Sequence, residues 1–254
     1  MAETALRRGP GIESSGVAGY SRKHRSKIAR YLVLPIGRWN IVNQPNTSVI
    51  SQLDLPKLEN PLLQTIREQF EEAYFKQFGV RSGPGLYKNA DWRRIEFATR
   101  LIPADCKSVL DVGVGPGAFL NYLALSGRYD RVTGIDKRRY TKFVELAPDL
   151  DYQIMDVGKM TFADSCFDTV VCMEVLEHLD SKTLEAGLSS LRRVTKKKLV
   201  MTVPFNEPLP LPSYHLQHFD EQRIRATFPD AEIFLLHRDD KRSTWPWAVL
   251  IEEF

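Results

Sequence analysis

The feature that most constrains the fold is a short apolar run that is followed at once by closely spaced glycines. The run that begins at Ser108 ends in the acidic residue Asp111, and the turn after it holds Gly113, Gly115 and Gly117. The eight residues that come next have the apolar composition of a short helix. Glycines let the backbone adopt positive φ and approach a ligand closely, and a helix start offers free N–H groups. The stretch therefore predicts a strand, a tight turn and a helix that together form a cradle for a cofactor.

Two classes of cofactor fit this turn. Gly113, Gly115 and Ala118 satisfy the dinucleotide pattern Gly-x-Gly-x-x-Gly/Ala. With Asp111 before the turn and Gly117 as a further glycine, the stretch also resembles the first motif of the class I S-adenosylmethionine (SAM) methyltransferases. A strand-turn-helix unit without a ligand is the remaining alternative.

Strand-like and helix-like segments alternate after residue 107, which predicts an α/β fold with a mainly parallel sheet covered on both faces. The predicted strands are 108–111, 131–136, 152–155, 167–173, 198–203, 231–237 and 247–252. The predicted helices of this region are 118–126, 138–146, 181–194 and 220–228. Helical spacing of apolar residues predicts two earlier helices, 61–78 and 91–101. We therefore expect one domain at 61–254, with its core at 91–254 and a helical extension before it.

Charge is concentrated near the start of the chain. Of 254 residues, the first 50 hold eight Lys or Arg against two Glu, a formal charge of +6, whereas the whole chain carries +3. We interpret residues 1–60 as a basic, partly disordered arm. Such an arm can contact nucleic acid, anionic lipid or an acidic substrate, but a solvated arm is the interpretation that we favour.

Cysteine usage and hydropathy bear on the compartment. Cys106, Cys166 and Cys172 lie in or beside apolar runs without metal-type pairing, as buried thiols of a cytosolic protein do. No apolar run has the length of a membrane span, and the N-terminus lacks the apolar block of a signal peptide. We expect a cytoplasmic protein without a transmembrane segment, and the sequence leaves its oligomeric state open.

An acidic residue closes each of four successive predicted strands: Asp111, Asp136, Asp156 and Glu174. Ligands of such sheets bind at the carboxyl ends of the strands. An acid at the second strand end can accept both ribose hydroxyls of an adenosine cofactor, and one at the third can accept the amine of adenine. Taken singly, Asp136 could also be a turn residue, and Asp156 could cap a following turn. Four acids at four strand ends, however, favour a cofactor site. The candidate cofactor-binding residues are Asp111, Gly113, Gly115, Gly117, Asp136, Lys137, Asp156, Val157 and Glu174.

The segment Val170 to Leu179 distinguishes between the cofactor classes. It closely resembles the segment after the fourth strand of class I methyltransferases, in particular the small-molecule (type 11) group that includes ubiquinone-pathway O-methyltransferases. The resemblance extends over about residues 91–254 and includes Thr202-Val203-Pro204 and His215 to Phe219. It implies a Rossmann-like sheet of seven strands in the order 3-2-1-4-5-7-6, with the last strand antiparallel. It also implies SAM as cofactor and methyl transfer as the reaction.

His178 is the candidate catalytic residue, because imidazole is a general base near neutral pH and this residue follows the fourth strand. The expected acceptor is a hydroxyl of a small molecule, of a glycan or of a lipid-linked compound. The loop that follows the fifth strand and part of the N-terminal region are expected to wall the acceptor pocket. The candidate substrate-binding residues are Tyr87, Trp92, Phe205, Tyr214, His215 and His218.

A metal site is a second interpretation of the same segment. Glu174, Glu177 and His178 match the Glu-x-x-Glu-His of small-RNA 3′-end methyltransferases, where a downstream histidine such as His218 (or His215) completes the site. The same string occurs in metal-free relatives, so a divalent metal is not favoured.

Two alternative functions stay open: a metal-dependent ribose 2′-O-methyltransferase and a non-catalytic SAM-binding protein. Nucleic-acid base methylation is disfavoured, because the Asn/Asp-Pro-Pro-aromatic string is absent after the fourth strand.

Overall fold

The structure is a computed structural model that describes residues 51–53, 57, 59–80, 89–238 and 245–254. Its strands are β1 (Ser51–Leu53), β2 (Ser108–Val112), β3 (Arg131–Asp136), β4 (Asp151–Ile154), β5 (Phe167–Met173), β6 (Thr195–Pro204), β7 (Glu232–Leu236) and β8 (Trp247–Glu253). Its helices are α1 (Pro61–Phe78), α2 (Asn89–Leu101), α3 (Ala118–Leu125), α4 (Ser181–Val194) and α5 (Glu221–Thr227). Two short 3-10 turns, Val157–Lys159 and Leu176–His178, follow β4 and β5.

The strands form one sheet in the order β1-β7-β8-β6-β5-β2-β3-β4. All neighbouring pairs are parallel except those of β8, which is antiparallel to both β6 and β7. The seven strands β2 to β8 therefore have the predicted order, with the last strand reversed. The carboxyl ends of β2, β3, β4 and β5 lie at one edge, which is where the sequence places its four acidic residues.

An eighth strand, β1, extends the sheet beyond the predicted seven. Ser51 lies opposite Phe234, and β1 runs parallel to β7. Residues 51–53, which we assigned to the arm, thus belong to the sheet, because three residues suffice to satisfy part of an edge that would otherwise lack hydrogen-bond partners. Residues 1–50 of the expected arm lie outside the described residues.

Alternating side chains of the strands build two apolar layers, one on each face. Val109 of β2 packs in the layer formed with α1, α2 and α3. Its neighbour Leu110 packs in the opposite layer, with α4 and α5. Helices thus cover both faces of the sheet. Among the described residues, no helix has the length and apolar composition that crossing a membrane requires.

The predicted helix 138–146 is wrong, because this segment forms turns and irregular structure. Within the segment the Phe143 amide donates to the Tyr140 carbonyl, but other backbone groups bond to residues outside it. The side chain of Asn121 donates to the Val144 carbonyl at 2.7 Å and accepts from the amides of Leu146 and Ala147 at 2.7 and 3.0 Å. Asn121 is fully buried, so it replaces the helical hydrogen bonds of this segment.

Candidate functional site

The glycine turn after β2 has the backbone that its sequence predicts. Gly113, Gly115 and Gly117 have φ of 84°, 52° and 101°, a region that favours glycine. A Cβ on Gly113 would lie 2.1 Å from Cγ2 of Val175, and one on Gly117 would lie 2.6 Å from Cε2 of Phe143. Side chains at these two positions would therefore displace the neighbouring loops.

The turn and the end of β3 are in direct contact. The Gly115 amide donates to Oδ2 of Asp136 at 3.1 Å. The side chain of Asp136 is half-buried, and Lys137 is exposed directly after it. The structure therefore brings Asp136, the residue predicted to bind the ribose, into contact with the predicted glycine turn.

Asp111 is buried beneath the same turn. Its Oδ2 has no hydrogen-bond partner among the described residues, and its side chain is 3% exposed. Burial and, secondarily, the charge of Asp136 raise the pKa of Asp111 to about 8. A cavity of about 30 Å³ adjoins it, lined by Arg94, Ile95, Asp111, Gly113, Val114, Phe119 and Met173. An unpartnered buried carboxyl oxygen beside a cavity marks a place where a ligand donor fits.

Asp156 and Val157 have structural roles at the end of β4. Oδ1 of Asp156 accepts from the Gly158 amide at 2.8 Å and caps the 3-10 turn. Val157 is buried in the core, with Cγ1 3.3 Å from the position that a Cβ on Gly187 of α4 would occupy. The capping role weighed for Asp156 is thus present, and Val157 packs against α4.

Glu174 follows β5 in a left-handed conformation, with φ of 55°. It accepts hydrogen bonds from Thr202 Oγ1 at 3.0 Å and from Trp247 Nε1 at 2.8 Å. It also pairs with Arg94 at 3.1 Å and with Arg238 at 3.5 Å. A non-glycine residue with this backbone costs about 1–3 kcal/mol and occurs where its surroundings fix it, often at functional sites.

Sequence reasoning missed the cations of this cluster. The Cζ atoms of Arg94 and Arg238 lie 4.6 and 4.1 Å from the ring centre of Trp247. Arg94 comes from α2, Arg238 follows β7 and Trp247 begins β8. Single arginines on a helix or after a strand have no local pattern that marks them, so only the fold identifies them.

His178 lies in the 3-10 turn after β5, and its side chain is partly exposed. Its Nδ1 lies 2.8 Å from the Tyr214 carbonyl oxygen. Because a carbonyl only accepts, Nδ1 carries the hydrogen, and Nε2 of the neutral ring is left as an acceptor. Nε2 lies 3.9 Å from Oε1 of Glu177.

Glu177 is fully buried, and its pKa is raised well above the usual range by burial and then by the charge of Glu174. Ligand atoms of Glu177, His178 and His215 all lie within 4.8 Å of one another. Nδ1 of His215 is hydrogen-bonded to Oε2 of Glu207. Of the four residues considered for a metal, Glu177 and His178 are brought together, but with His215 in place of His218 and Glu174.

The two residues left out of this cluster have other partners. Glu174 is engaged by the two arginines and Trp247. Nε2 of His218 lies 3.1 Å from the Glu207 carbonyl oxygen and therefore donates to it.

Of the four candidate substrate-binding residues other than the two histidines, two are buried, one is exposed and one lies outside the described residues. Trp92 and Phe205 are buried, with 0% and 6% exposure, and pack in the two apolar layers. Their place in the wall of an acceptor pocket stays a prediction. Tyr214 is 64% exposed, and its ring centre lies 4.7 Å from that of His215. Tyr87 lies outside the described residues.

Comparisons with known proteins agree with this fold. Residues 110–201 match the family model described as a methyltransferase domain. A ubiquinone biosynthesis O-methyltransferase from Paracidovorax citrulli is 35% identical over 96 residues, which cover 34% of this chain and 39% of that protein. The O-methyltransferase cnsE of Penicillium expansum is 30% identical over 126 residues, 45% of each chain. The chain thus matches less than half of the length of these relatives.

A solved structure reproduces the fold. It is the 1,6-didemethyltoxoflavin-N1-methyltransferase of Burkholderia thailandensis, with a TM-score of 0.52 and 17% identity over 80% of this chain and 94% of that one. Residues 110–201 are therefore similar to a methyltransferase domain in sequence, and the chain has the fold of a solved methyltransferase structure.

Proposed function

We propose that this protein transfers a methyl group from SAM to a hydroxyl oxygen of a small-molecule, glycan or lipid-linked acceptor. The observation that carries the oxygen acceptor is the fixed tautomer of His178. Its Nδ1–H is held by the Tyr214 carbonyl at 2.8 Å, so that Nε2 is an acceptor next to the end of β5. The partial likeness to proteins named as O-methyltransferases supports the same choice.

The residues around the glycine turn fit the cofactor. Asp136, hydrogen-bonded to the Gly115 amide, is placed to accept ribose hydroxyls, and the unpartnered Oδ2 of Asp111 offers an acceptor beside the cavity. Arg94 lines the same cavity and has the charge and fork geometry that a carboxylate requires. When bound, SAM supplies an electrophilic methyl group to which the acceptor oxygen must be aligned.

His178 would remove the proton of the acceptor hydroxyl at its Nε2 atom. The Tyr214 carbonyl holds the ring in one tautomer and one orientation, so the base needs no rearrangement before it acts. The exposed ring of Tyr214, 5.8 Å from that of His178, offers a stacking face for the acceptor.

The test is methyl transfer from labelled SAM to a panel of catechols, hydroxybenzoates, quinols and oligosaccharides, with product mass as the readout. With the best acceptor, His178→Ala should lower turnover by about 10²–10⁴-fold, because proton removal is lost. Binding of S-adenosylhomocysteine should stay as in the wild type, since His178 is not a proposed cofactor contact. Wild-type turnover in His178→Ala would rule out the base.

A metal-assisted form of the same reaction is the second candidate. It is favoured by the cluster of Glu177, His178 and His215, in which each imidazole is fixed through Nδ1 and leaves Nε2 for a ligand. These residues fit a divalent cation, which would orient vicinal hydroxyls of the acceptor. In that case a chelator should abolish methyl transfer and added divalent ion should restore it. If activity is unchanged in the presence of the chelator, the metal-assisted form is excluded, and His178 is proposed only as a general base.

A further inference from the structure

The carboxylate of Glu174 is shared by four donor side chains. Its two oxygens already receive the Thr202 hydroxyl, the Trp247 indole and the guanidinium of Arg94, at 2.8–3.1 Å. Arg238 is the most distant member of the group, with Nη2 3.5 Å from Oε2. Of the four donors, Arg238 therefore makes the longest contact with Glu174.

Two buried donors near Glu174 have no acceptor among the described residues. They are Nε of Arg238 and Nε1 of Trp245. The Arg238 Cζ atom lies 5.5 Å from the ring centre of Trp245, so the two donors belong to one cluster. A buried N–H without a partner loses its hydrogen bonds to water and gains none in return, so such groups are rare in native structures.

The unpaired groups are all donors, and this decides the chemistry of a ligand. Only a group that brings acceptor oxygens satisfies them, and a negative charge suits a guanidinium. Stacking of Arg238 on the Trp247 ring, at 4.1 Å, fixes the plane of the guanidinium before a ligand arrives.

The position of the cluster relates it to the acceptor rather than to the cofactor. Arg238 follows the carboxyl end of β7 and pairs with Oε2 of Glu174, whereas Arg94 pairs with Oε1 and lines the cavity with Asp111 and Gly113. Arg94 also has Asp91 as a partner at 3.4 Å, so the two arginines are not equivalent.

Resting on the proposed methyl transfer, we infer that Arg238 and Trp245 form a subsite for an oxyanion carried by the acceptor. The group bound is a carboxylate or a phosphate monoester, whose oxygens accept hydrogen bonds from Nε of Arg238 and Nε1 of Trp245. The acceptor is thus a hydroxyl compound with an acidic group, and neutral analogues of the same shape bind poorly.

The test titrates the full-length protein, saturated with S-adenosylhomocysteine to occupy the cofactor site, with benzoate, phenyl phosphate and benzamide by calorimetry. We expect saturable binding of benzoate or phenyl phosphate in the millimolar range or tighter, and no saturable binding of benzamide. The tighter of the two anions identifies a planar carboxylate or a tetrahedral phosphate as the group that the subsite takes.

Three variants attribute the binding to Arg238. Arg238→Gln should weaken the anion at least about tenfold, and Arg238→Lys should lie between it and the wild type, because the charge remains but the fork is lost. Arg225→Gln, an equal change of charge in an exposed i,i+4 pair with Glu221, should leave the affinity unchanged. Circular dichroism checks that each variant is folded. If Arg238→Gln does not fold, Arg238→Lys provides the test.

Equal affinity for benzamide and benzoate, absence of saturable anion binding, or wild-type anion affinity in Arg238→Gln and Arg238→Lys would overturn the inference. Failure of the proposed function shows separately, as absence of methyl transfer or of S-adenosylhomocysteine binding. The anion titrations can be repeated on the protein without S-adenosylhomocysteine, so the two outcomes are distinguishable.

Discussion

Asp111 is a carboxyl group that the fold removes from water. Burial and then the charge of Asp136 raise its pKa to about 8, whereas an aspartate of the unfolded chain titrates near about 3.9. Between these values the folded protein holds a proton that the unfolded chain has lost, so rising pH favours unfolding.

At the residue scale we therefore predict that the free energy of unfolding falls as pH rises from about 4 to about 8, by up to about 1.4 kcal/mol per unit from Asp111. Asp111→Asn, which cannot ionise, should reduce this slope. Urea unfolding of both proteins at several pH values measures it. Equal slopes in the two proteins would show that Asp111 is not the titrating group.

The segment after β3 shows how one side chain can replace an element. Asn121 of α3 bonds to Val144, Leu146 and Ala147, and these bonds substitute for a helix. The segment also contains Phe143, whose ring lies against Gly117 of the cofactor turn. The loop is therefore part of the wall of the candidate site.

At the element scale we predict that Asn121→Ala destabilises the protein by about 1–3 kcal/mol for each buried group that it leaves unpaired. Amide hydrogen exchange at Leu146 and Ala147 should accelerate more than in the sheet. Glu145→Ala removes only a surface ion pair of the same loop and should change stability by less than about 1 kcal/mol. Native-like exchange at both amides in Asn121→Ala would contradict this account of the loop.

The whole molecule joins its cofactor residues from separate elements, because the turn after β2, the end of β3 and helix α2 meet only when the sheet is formed. A ligand that binds this assembly stabilises the folded state by mass action. The unfolded chain has no such site.

At the scale of the whole molecule we predict that S-adenosylhomocysteine at 100 times its Kd adds about 2.7 kcal/mol to the free energy of unfolding. Asp136→Ala should weaken binding by about 1–3 kcal/mol through lost charge-assisted hydrogen bonds. Thermal unfolding with and without the ligand measures both effects, and Glu232→Ala, an exposed change on β7, is the control. An equal ligand-induced shift in Asp136→Ala and in the wild type would show that the ribose lies elsewhere.

Local patterns of the sequence determined the elements and the turn that carries the cofactor. The period of the apolar residues predicted α1 at 61–78 and the strands β2 to β8, because burial on a sheet or a helix face imposes that period. The spacing of Gly113, Gly115 and Gly117 predicted positive φ at the turn, because glycine alone adopts it at little cost. The strand order came from the resemblance to a family and not from these patterns.

Tertiary structure alone decided which side chains meet and which are buried. The contacts of Glu174 with Arg94, Arg238 and Trp247 join residues from four parts of the chain, and no local period encodes them. Trp92 is a predicted pocket residue that packs in the core, and its burial could not be predicted, because an aromatic ring suits a pocket wall and a core equally well until its neighbours are known. The Asn121 side chain likewise displaced a predicted helix. Local sequence sets the propensities of each segment, whereas packing between distant segments sets the partners of each side chain, and the chemistry of this site depends on those partners.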